Sequence, residues 1–186
     1  MPERLTPRAR ADFERVLQQL VGRCIEAVSY VEIAYERDGR PMWNRDSESF
    51  DSLDFGVQMT LDDDSTFSVT WGAEFTPHNV SILRGPLEFS EGSSTRRWDV
   101  GPRWRERRLL DSPVISARAT WLPADPPNGR EYPQDVRLEF ESGAVVVLSA
   151  FEFRAGDRNM VMMDNITVFF DEVEARRRVH GPHGGA

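Results

Sequence analysis

The stretch that decides the fold is FGVQMTLDDDSTFSVTW, residues 55–71. Apolar and polar residues alternate on both sides of the acidic turn Asp62-Asp63-Asp64-Ser65, and a period of two is typical of antiparallel strands joined by a hairpin. The run NVSIL (residues 79–83) continues the alternation and ends at the turn residues Arg84-Gly85-Pro86. These runs predict an antiparallel sheet in the first half of the chain.

The segments before this hairpin predict a helix followed by a long strand. Residues 7–21 have helical spacing, begin after Thr6, a favourable N-cap, and end before Gly22. Residues 24–35 are rich in β-branched and aromatic side chains, which favour a strand. The predicted apolar face of the helix consists of Phe13, Val16, Leu17 and Leu20.

The same order of elements recurs in the second half. The pattern predicts a helix at 103–110, strands at 114–121, 136–140, 144–153 and 165–170, a Pro-rich loop at 122–133, and a final helix at 171–179. We therefore predict an α+β fold, predominantly antiparallel β, with two tandem diverged helix-plus-four-strand modules packed into one body. The modules span residues 1–95 and 96–179, the second with the short C-terminal helix, and residues 180–186 form a disordered tail. The alternative is that two antiparallel meanders resemble each other without duplication.

Composition excludes several kinds of active site. All 23 basic residues are Arg, which rules out a P-loop lysine and a Schiff-base lysine. His180 and His183 fall in the predicted tail, so His78 is the one histidine expected in the folded body, and a multi-histidine zinc site is excluded. The lone Cys24 lies in an apolar stretch and is expected to be a small buried hydrophobe. We expect no catalytic residue, no cofactor and no metal.

The distribution of charge bears on location and partners. The sequence has no apolar run of about 18 to 20 residues, which predicts a cytoplasmic protein without a membrane partner. The net charge is −8, and residues 24–95 hold four Arg against fourteen Asp or Glu. Because affinity for nucleic acids comes mainly from neutralising phosphates, we do not expect a nucleic-acid partner. An acidic surface suits a basic protein partner.

Two local clusters admit two interpretations each. The Arg- and Trp-rich segment RRWDVGPRWRERR (residues 96–108) could bind an anion, or form a solvated helix whose arginines pair with the acidic modules. The run Asp62 to Asp64 could bind a divalent cation, although adjacent side chains on a turn diverge, so turn chemistry explains them better.

Our leading functional hypothesis is a non-enzymatic, acidic protein-binding module. It resembles, in composition only, the immunity proteins that neutralise toxins. The predicted partner-binding residues are Glu32, Glu36, Asp38, Trp43, Glu48, Asp51, Asp54, Asp62, Asp63, Asp64, Arg103, Trp104 and Arg107.

The alternative hypothesis is a small-ligand-binding protein or hydrolase with a pocket between the two modules. The residues predicted to line that pocket are Trp71, Glu74, His78, Trp121 and Arg154. A third alternative is a homodimer sealed by edge strands.

Overall fold

The structure is a computed structural model, and it describes residues 9–37, 40–42, 48–76, 78–88, 94–124, 130–152 and 160–180. These residues form three helices and twelve strands. In chain order they are α1 (Arg10–Gln18), β1 (Ile25–Ile33), β2 (Tyr35–Arg37), β3 (Arg40–Met42), β4 (Phe50–Leu53), β5 (Gly56–Leu61), β6 (Thr66–Gly72), β7 (Asn79–Arg84), β8 (Thr95–Asp99), α2 (Gly101–Glu106), β9 (Val114–Pro123), β10 (Glu131–Phe140), β11 (Val145–Glu152), β12 (Met160–Phe169) and α3 (Glu172–Val179).

The strands form two antiparallel five-stranded sheets and one small hairpin. The first sheet has the order β7-β6-β5-β1-β8, the second has the order β4-β12-β11-β10-β9, and β2 pairs with β3. The inner faces of the two large sheets share one apolar core, in which Val57 and Val69 of the first sheet lie with Val136 and Leu148 of the second. The predicted α+β class with predominantly antiparallel strands is confirmed.

Each sheet receives one strand from outside the meander that forms the rest of it. Four strands of the first sheet, β7-β6-β5-β1, have the same order as β12-β11-β10-β9 in the second. Strand β4, which precedes the hairpin of the first sheet, pairs instead with β12. Strand β8, which follows that sheet's meander, returns to pair with β1. The two sheets are therefore tied together by the path of the chain as well as by their core.

Helix α1 covers the edge of the second sheet. Its predicted apolar face is buried, with Phe13, Leu17 and Leu20 at most 1% exposed. The Gln18 side chain donates a hydrogen bond of 3.1 Å from Nε2 to the backbone oxygen of Ala117 on edge strand β9. An edge covered by a helix is protected from pairing with another chain.

Helix α2 ends earlier than the predicted boundary at residue 110. Arg108 has φ +60, the Arg108 amide bonds the Arg105 oxygen at 2.9 Å, and the Leu109 amide bonds the Trp104 oxygen at 3.1 Å. This is the Schellman pattern that ends a helix with a left-handed residue, although glycine is the usual residue there. Leu109 and Leu110 consequently leave the helix and enter the core.

Two segments predicted as loops contain strands. Residues 37–51 include β3 and the start of β4. Residues 122–133 include the end of β9 and the start of β10. Strand β4 has no apolar alternation because Asp51 occupies a position on its core side. In β10 the register shifts between Pro133 and Asp135. Proline is tolerated at such an irregularity, but in a sequence it argues against a strand, so this part of β10 was predicted as a loop.

In the part of the chain that the structure describes, no helix is both long and apolar enough to cross a membrane.

Candidate functional site

Helix α3 packs on the outer face of the second sheet. Its Ala175 and Val179 join an apolar cluster with Phe50, Phe151 and Phe169 of the sheet. Asp171 caps the helix, since its Oδ1 accepts hydrogen bonds from the amides of Val173 (2.8 Å) and Glu174 (3.1 Å). The helix is thus fixed at its start by the cap and along its length by apolar contacts.

A cleft of about 420 Å³ separates α3 from part of this outer face. The helix contributes Glu172, Arg176 and His180, which follow one another at intervals of four residues and therefore share one side. We call this space the α3 cleft. The residues that line it are Thr120, Asp135, Arg137, Val147, Glu172, Ala175, Arg176 and His180.

The floor of the α3 cleft belongs to a row of polar residues that crosses the whole sheet. Directly paired positions on β9, β10, β11, β12 and β4 carry hydroxyl groups or a carboxylate, and paired residues of antiparallel strands project to the same face. All members of the row but Thr120 are buried. The row consists of Thr120, Asp135, Ser149, Thr167 and Ser52.

His180 and Asp135 form a hydrogen-bonded pair in the cleft. The distance from His180 Nε2 to Asp135 Oδ2 is 2.7 Å, and the Asp135 side chain is 4% exposed. A carboxylate can only accept, so this contact assigns a proton to Nε2 and leaves Nδ1 for another partner. An imidazole oriented by a carboxylate can bind a ligand or transfer a proton.

Arg137 crosses the cleft floor between two glutamates. Its Nε and Nη2 donate to the two oxygens of Glu172 at 3.0 and 3.2 Å, and its Nη1 donates to Glu139 at 2.8 Å. Arg176 donates to the same Glu172 carboxylate at 2.6 Å. The hydrogen bond from Arg137 is the main cause that lowers the pKa of Glu172, with Arg176 adding to it and partial burial opposing both. These contacts hold the helix and the strand at a fixed separation.

The structure buries several of the residues predicted to bind a partner. Asp51 is 0% exposed and Arg103 8% exposed, and Arg103 donates to both Asp51 oxygens at 2.8 Å. Tyr30 donates to Asp51 at 2.9 Å and accepts from Trp104 Nε1 at 3.0 Å. Glu32 is also buried. Four of the predicted partner-binding residues therefore lie inside the protein and not on a docking surface: Asp51, Arg103, Trp104 and Glu32.

Burial raises the pKa values of two groups in this network, the Asp51 carboxyl and the Tyr30 hydroxyl. Desolvation raises the pKa of the Asp51 carboxyl, against the opposing effect of the Arg103 guanidinium. Desolvation likewise raises the pKa of the Tyr30 hydroxyl, and the nearby Asp51 charge adds to that effect. Tyr30 therefore stays neutral and serves as a hydrogen-bonding bridge.

Of the remaining acidic candidates that the structure describes, Asp62, Asp63, Asp54 and Glu48 contact neighbouring groups of the chain. Arg23 binds Asp62 at 2.8 Å and Asp63 at 2.6 Å, and Asp54 accepts from the amide of Ile33. Asp64 is exposed and adopts a left-handed turn conformation. The exposed Glu48 lies 3.6 Å from Arg107, whose guanidinium stacks on Phe170. The side chains of Glu36, Asp38 and Trp43 lie outside the described residues.

Three of the residues predicted to line a pocket between the modules pack against other aromatic rings in two separate groups. His78 lies against Trp71 with ring centres 5.7 Å apart, and Trp121 lies edge-on to Phe75 at 5.2 Å and to Phe13 at 5.5 Å. Phe75 thus fills the space beside Trp121. Glu74 contacts the Asn79 side chain, and Arg154 lies outside the described residues.

The structure offers no assembled site for a metal or a reactive thiol among its described residues. No group of three or more His, Cys, Asp or Glu side chains there could hold a metal ion. Burial, followed by the nearby Asp62 charge, raises the pKa of the Cys24 thiol, which keeps it in the unreactive protonated form.

The sequence did not predict the α3 cleft, because His180 was expected to lie in a disordered tail. The structure places His180 at the C-cap of α3, in contact with β10. The spacing of Glu172, Arg176 and His180 was the one available signal in the sequence, since these residues share a helical face. Asp135 carried no signal of its own, because its partner lies 45 residues away.

The sequence matches no protein-family profile, and neither a curated protein nor a solved structure is similar to it.

Proposed function

We propose that this protein binds a small polar ligand in the α3 cleft. The observation that carries the proposal is the pair of His180 and the buried Asp135 on the wall of a cavity of about 420 Å³. A volume of this size is in the range of pockets for small molecules. The proposal takes up the alternative hypothesis of a small-ligand-binding protein and moves its site from the module junction to α3.

The energetic cost of the site supports a functional role. Burying a carboxylate is unfavourable unless it is well paired, and apolar residues of similar size stabilise a structural contact at least as well. The neighbouring part of the same helix interface is in fact apolar, with Phe50, Phe169 and Val179 in contact. A fully apolar interface would therefore attach the helix at least as well as the polar contacts that are present.

A ligand screen on matched histidine variants tests the proposal. A library of small polar compounds is screened by thermal shift against the wild type, and each hit is measured by calorimetry against His180→Ala and His78→Ala. We expect the hits to lose binding in His180→Ala and to keep it in His78→Ala. Asp135→Asn, which retains shape but weakens the orientation of the imidazole, should show intermediate binding.

The opposite pattern would overturn the site. If hits bind His180→Ala and Asp135→Asn with wild-type affinity while His78→Ala abolishes binding, the ligand occupies the loop beside Trp71. Circular dichroism of each variant shows whether it is folded, so that a loss of binding is not confused with a loss of structure.

Binding of a basic protein partner is a second proposal, supported by the net charge of −8 and the excess of acids in residues 24–95. Affinity capture should return one stoichiometric basic protein, and charge reversal of Glu36 and Asp38 should slow its association at low salt. Association that is insensitive to these reversals would exclude this surface.

We also propose that the two meanders arose by tandem duplication. The shared strand order of β7-β6-β5-β1 and β12-β11-β10-β9 supports this origin, as does the helix that precedes each meander.

A further inference from the structure

We propose that the ligand of the α3 cleft is a small organic anion, with a carboxylate or phosphate group and a short apolar body. This inference rests on the proposed function and adds the chemical class of the ligand. Its basis is the balance of hydrogen-bond donors and acceptors that the cleft leaves open.

The donors in the cleft exceed the acceptors available to them. Arg137 uses three of its N–H groups on Glu172 and Glu139, and a guanidinium carries more than three. Arg176 donates a hydrogen bond to Glu172, and its side chain is 73% exposed. Within the described residues, the guanidinium groups of both arginines therefore keep N–H groups for a further partner.

The acceptors of the cleft are largely occupied. Both oxygens of Glu172 accept from Arg137, and one of them also accepts from Arg176. Asp135 Oδ2 is held by His180, and within the described residues Asp135 Oδ1 and the Thr120 hydroxyl are the acceptors on the sheet side that remain open. An anion would supply the missing acceptors, and charge-assisted bonds from arginine to carboxylate or phosphate are among the strongest hydrogen bonds in proteins.

The charge around the helix end is compatible with an anion. The carbonyl end of a helix disfavours negative charge, and His180 stands at the C-terminal end of α3. The last turn, however, contains Arg176, Arg177 and Arg178, whose charges oppose that effect. A protonated His180 would add to the attraction, because its Nδ1 would then be a second donor.

The apolar part of the lining limits the rest of the ligand. Val147 and Ala175 line the same cleft as the arginines. They can contact a few carbon atoms next to the charged group, which is typical of sites where apolar surface binds the body and polar groups fix the orientation.

The test compares matched probes at constant ionic strength. Inorganic phosphate, acetate and butyrate represent the anions, butyramide is the neutral analogue of butyrate, and butylammonium is the cationic one. Binding is followed by calorimetry and by NMR shifts of His180. We expect the anions to bind, butyrate or phosphate the tightest, and butyramide and butylammonium to bind at least about tenfold more weakly. A preference for butyrate identifies a carboxylate ligand, and a preference for phosphate identifies a phosphorylated one.

A pair of neighbouring arginine variants shows where the anion binds. Arg176→Gln should weaken anion binding about tenfold or more, because it removes a charged donor from the cleft. Arg177→Gln is the matched control, since Arg177 is on the same helix but pairs with Glu174 and does not line the cleft. It should bind anions like the wild type.

Failure of the anion inference alone is distinguishable from failure of the proposed function. If butyramide or butylammonium binds as tightly as butyrate, or if Arg176→Gln and Arg177→Gln behave alike, the anion class is wrong while the cleft can still be a binding site. If no anion shifts the His180 resonances and the wider library gives no hit that depends on His180, both proposals fail.

Discussion

The Arg103 guanidinium donates two hydrogen bonds of 2.8 Å to the two oxygens of Asp51, across 52 residues of sequence. Arg103 lies on α2, which follows the first sheet, and Asp51 lies on β4, which belongs to the second. Tyr30 of β1 adds a third hydrogen bond to the same carboxylate. One buried acid thus connects both sheets and the helix between them.

Removing the arginine should therefore destabilise the whole protein. Arg103→Met is expected to lower the free energy of unfolding by about 3 to 5 kcal/mol, because it leaves the Asp51 carboxylate buried without its cation. Arg105→Met is the control: Arg105 is exposed and pairs with the exposed Asp111, so its loss should cost less than about 1 kcal/mol. Urea unfolding measures both values. Equal losses in the two variants would contradict a stabilising role for the buried pair.

The left-handed residue at the end of α2 offers a stabilising substitution. Arg108→Gly should raise the free energy of unfolding by about 0.5 to 1 kcal/mol, because glycine adopts φ +60 without strain between its side chain and the backbone. The same change inside the helix, Arg105→Gly, should lower stability by about 1 kcal/mol. Thermal and urea unfolding of the two variants should give opposite signs. A destabilised Arg108→Gly would mean that its side chain contributes more than the backbone strain costs.

Acid should weaken the attachment of α3. Arg137 and Arg176 hold the pKa of Glu172 below its ordinary value of 4.5. Glu172 therefore contributes stability that is fully present above pH 4.5 and is lost as the pH falls through the lowered folded-state pKa. We expect Glu172→Gln to melt about 2 to 4 °C below the wild type at pH 7. This difference should shrink as the pH falls below 4.5.

A neutral control separates this effect from general acid unfolding. The Glu106 side chain is exposed and forms no ion pair among the described residues, so Glu106→Gln should melt with the wild type at every pH. A melting difference for Glu172→Gln that is the same at pH 7 and pH 3.5 would show that the loss is not electrostatic.

The sequence was informative wherever an element buries one apolar side. The hairpin of β5 and β6 and the buried face of α1 were predicted, because their apolar residues recur with a period of two in the strands and of 3.6 in the helix. Strand β4 was missed because Asp51 interrupts the apolar pattern on its core side, and β8 was missed because TRRWD is a largely exposed edge strand rich in arginine. Both strands are defined by partners that are distant in sequence.

The α3 cleft could not have been predicted from spacing alone. Asp135 and Thr120 lie opposite each other only because of the register shift after Pro133, and a shift of one residue would turn them to the other face. His180 reaches Asp135 only because α3 docks on this face of the sheet. Register and docking are tertiary properties, so the candidate site appears only once the sheet is assembled.

The placement of β4 also sets the order of events during synthesis. Phe50 of β4 pairs with Phe169 of β12, so the edge of the second sheet cannot close until more than a hundred further residues have left the ribosome. Until β12 is made, the backbone hydrogen-bonding groups of β4 have no strand partner from the second sheet. Strand β4 meanwhile stays next to the first sheet, because β5 follows it directly in the chain. A nascent chain that stops before β12 leaves this segment exposed, and an unpaired strand edge can pair with another chain.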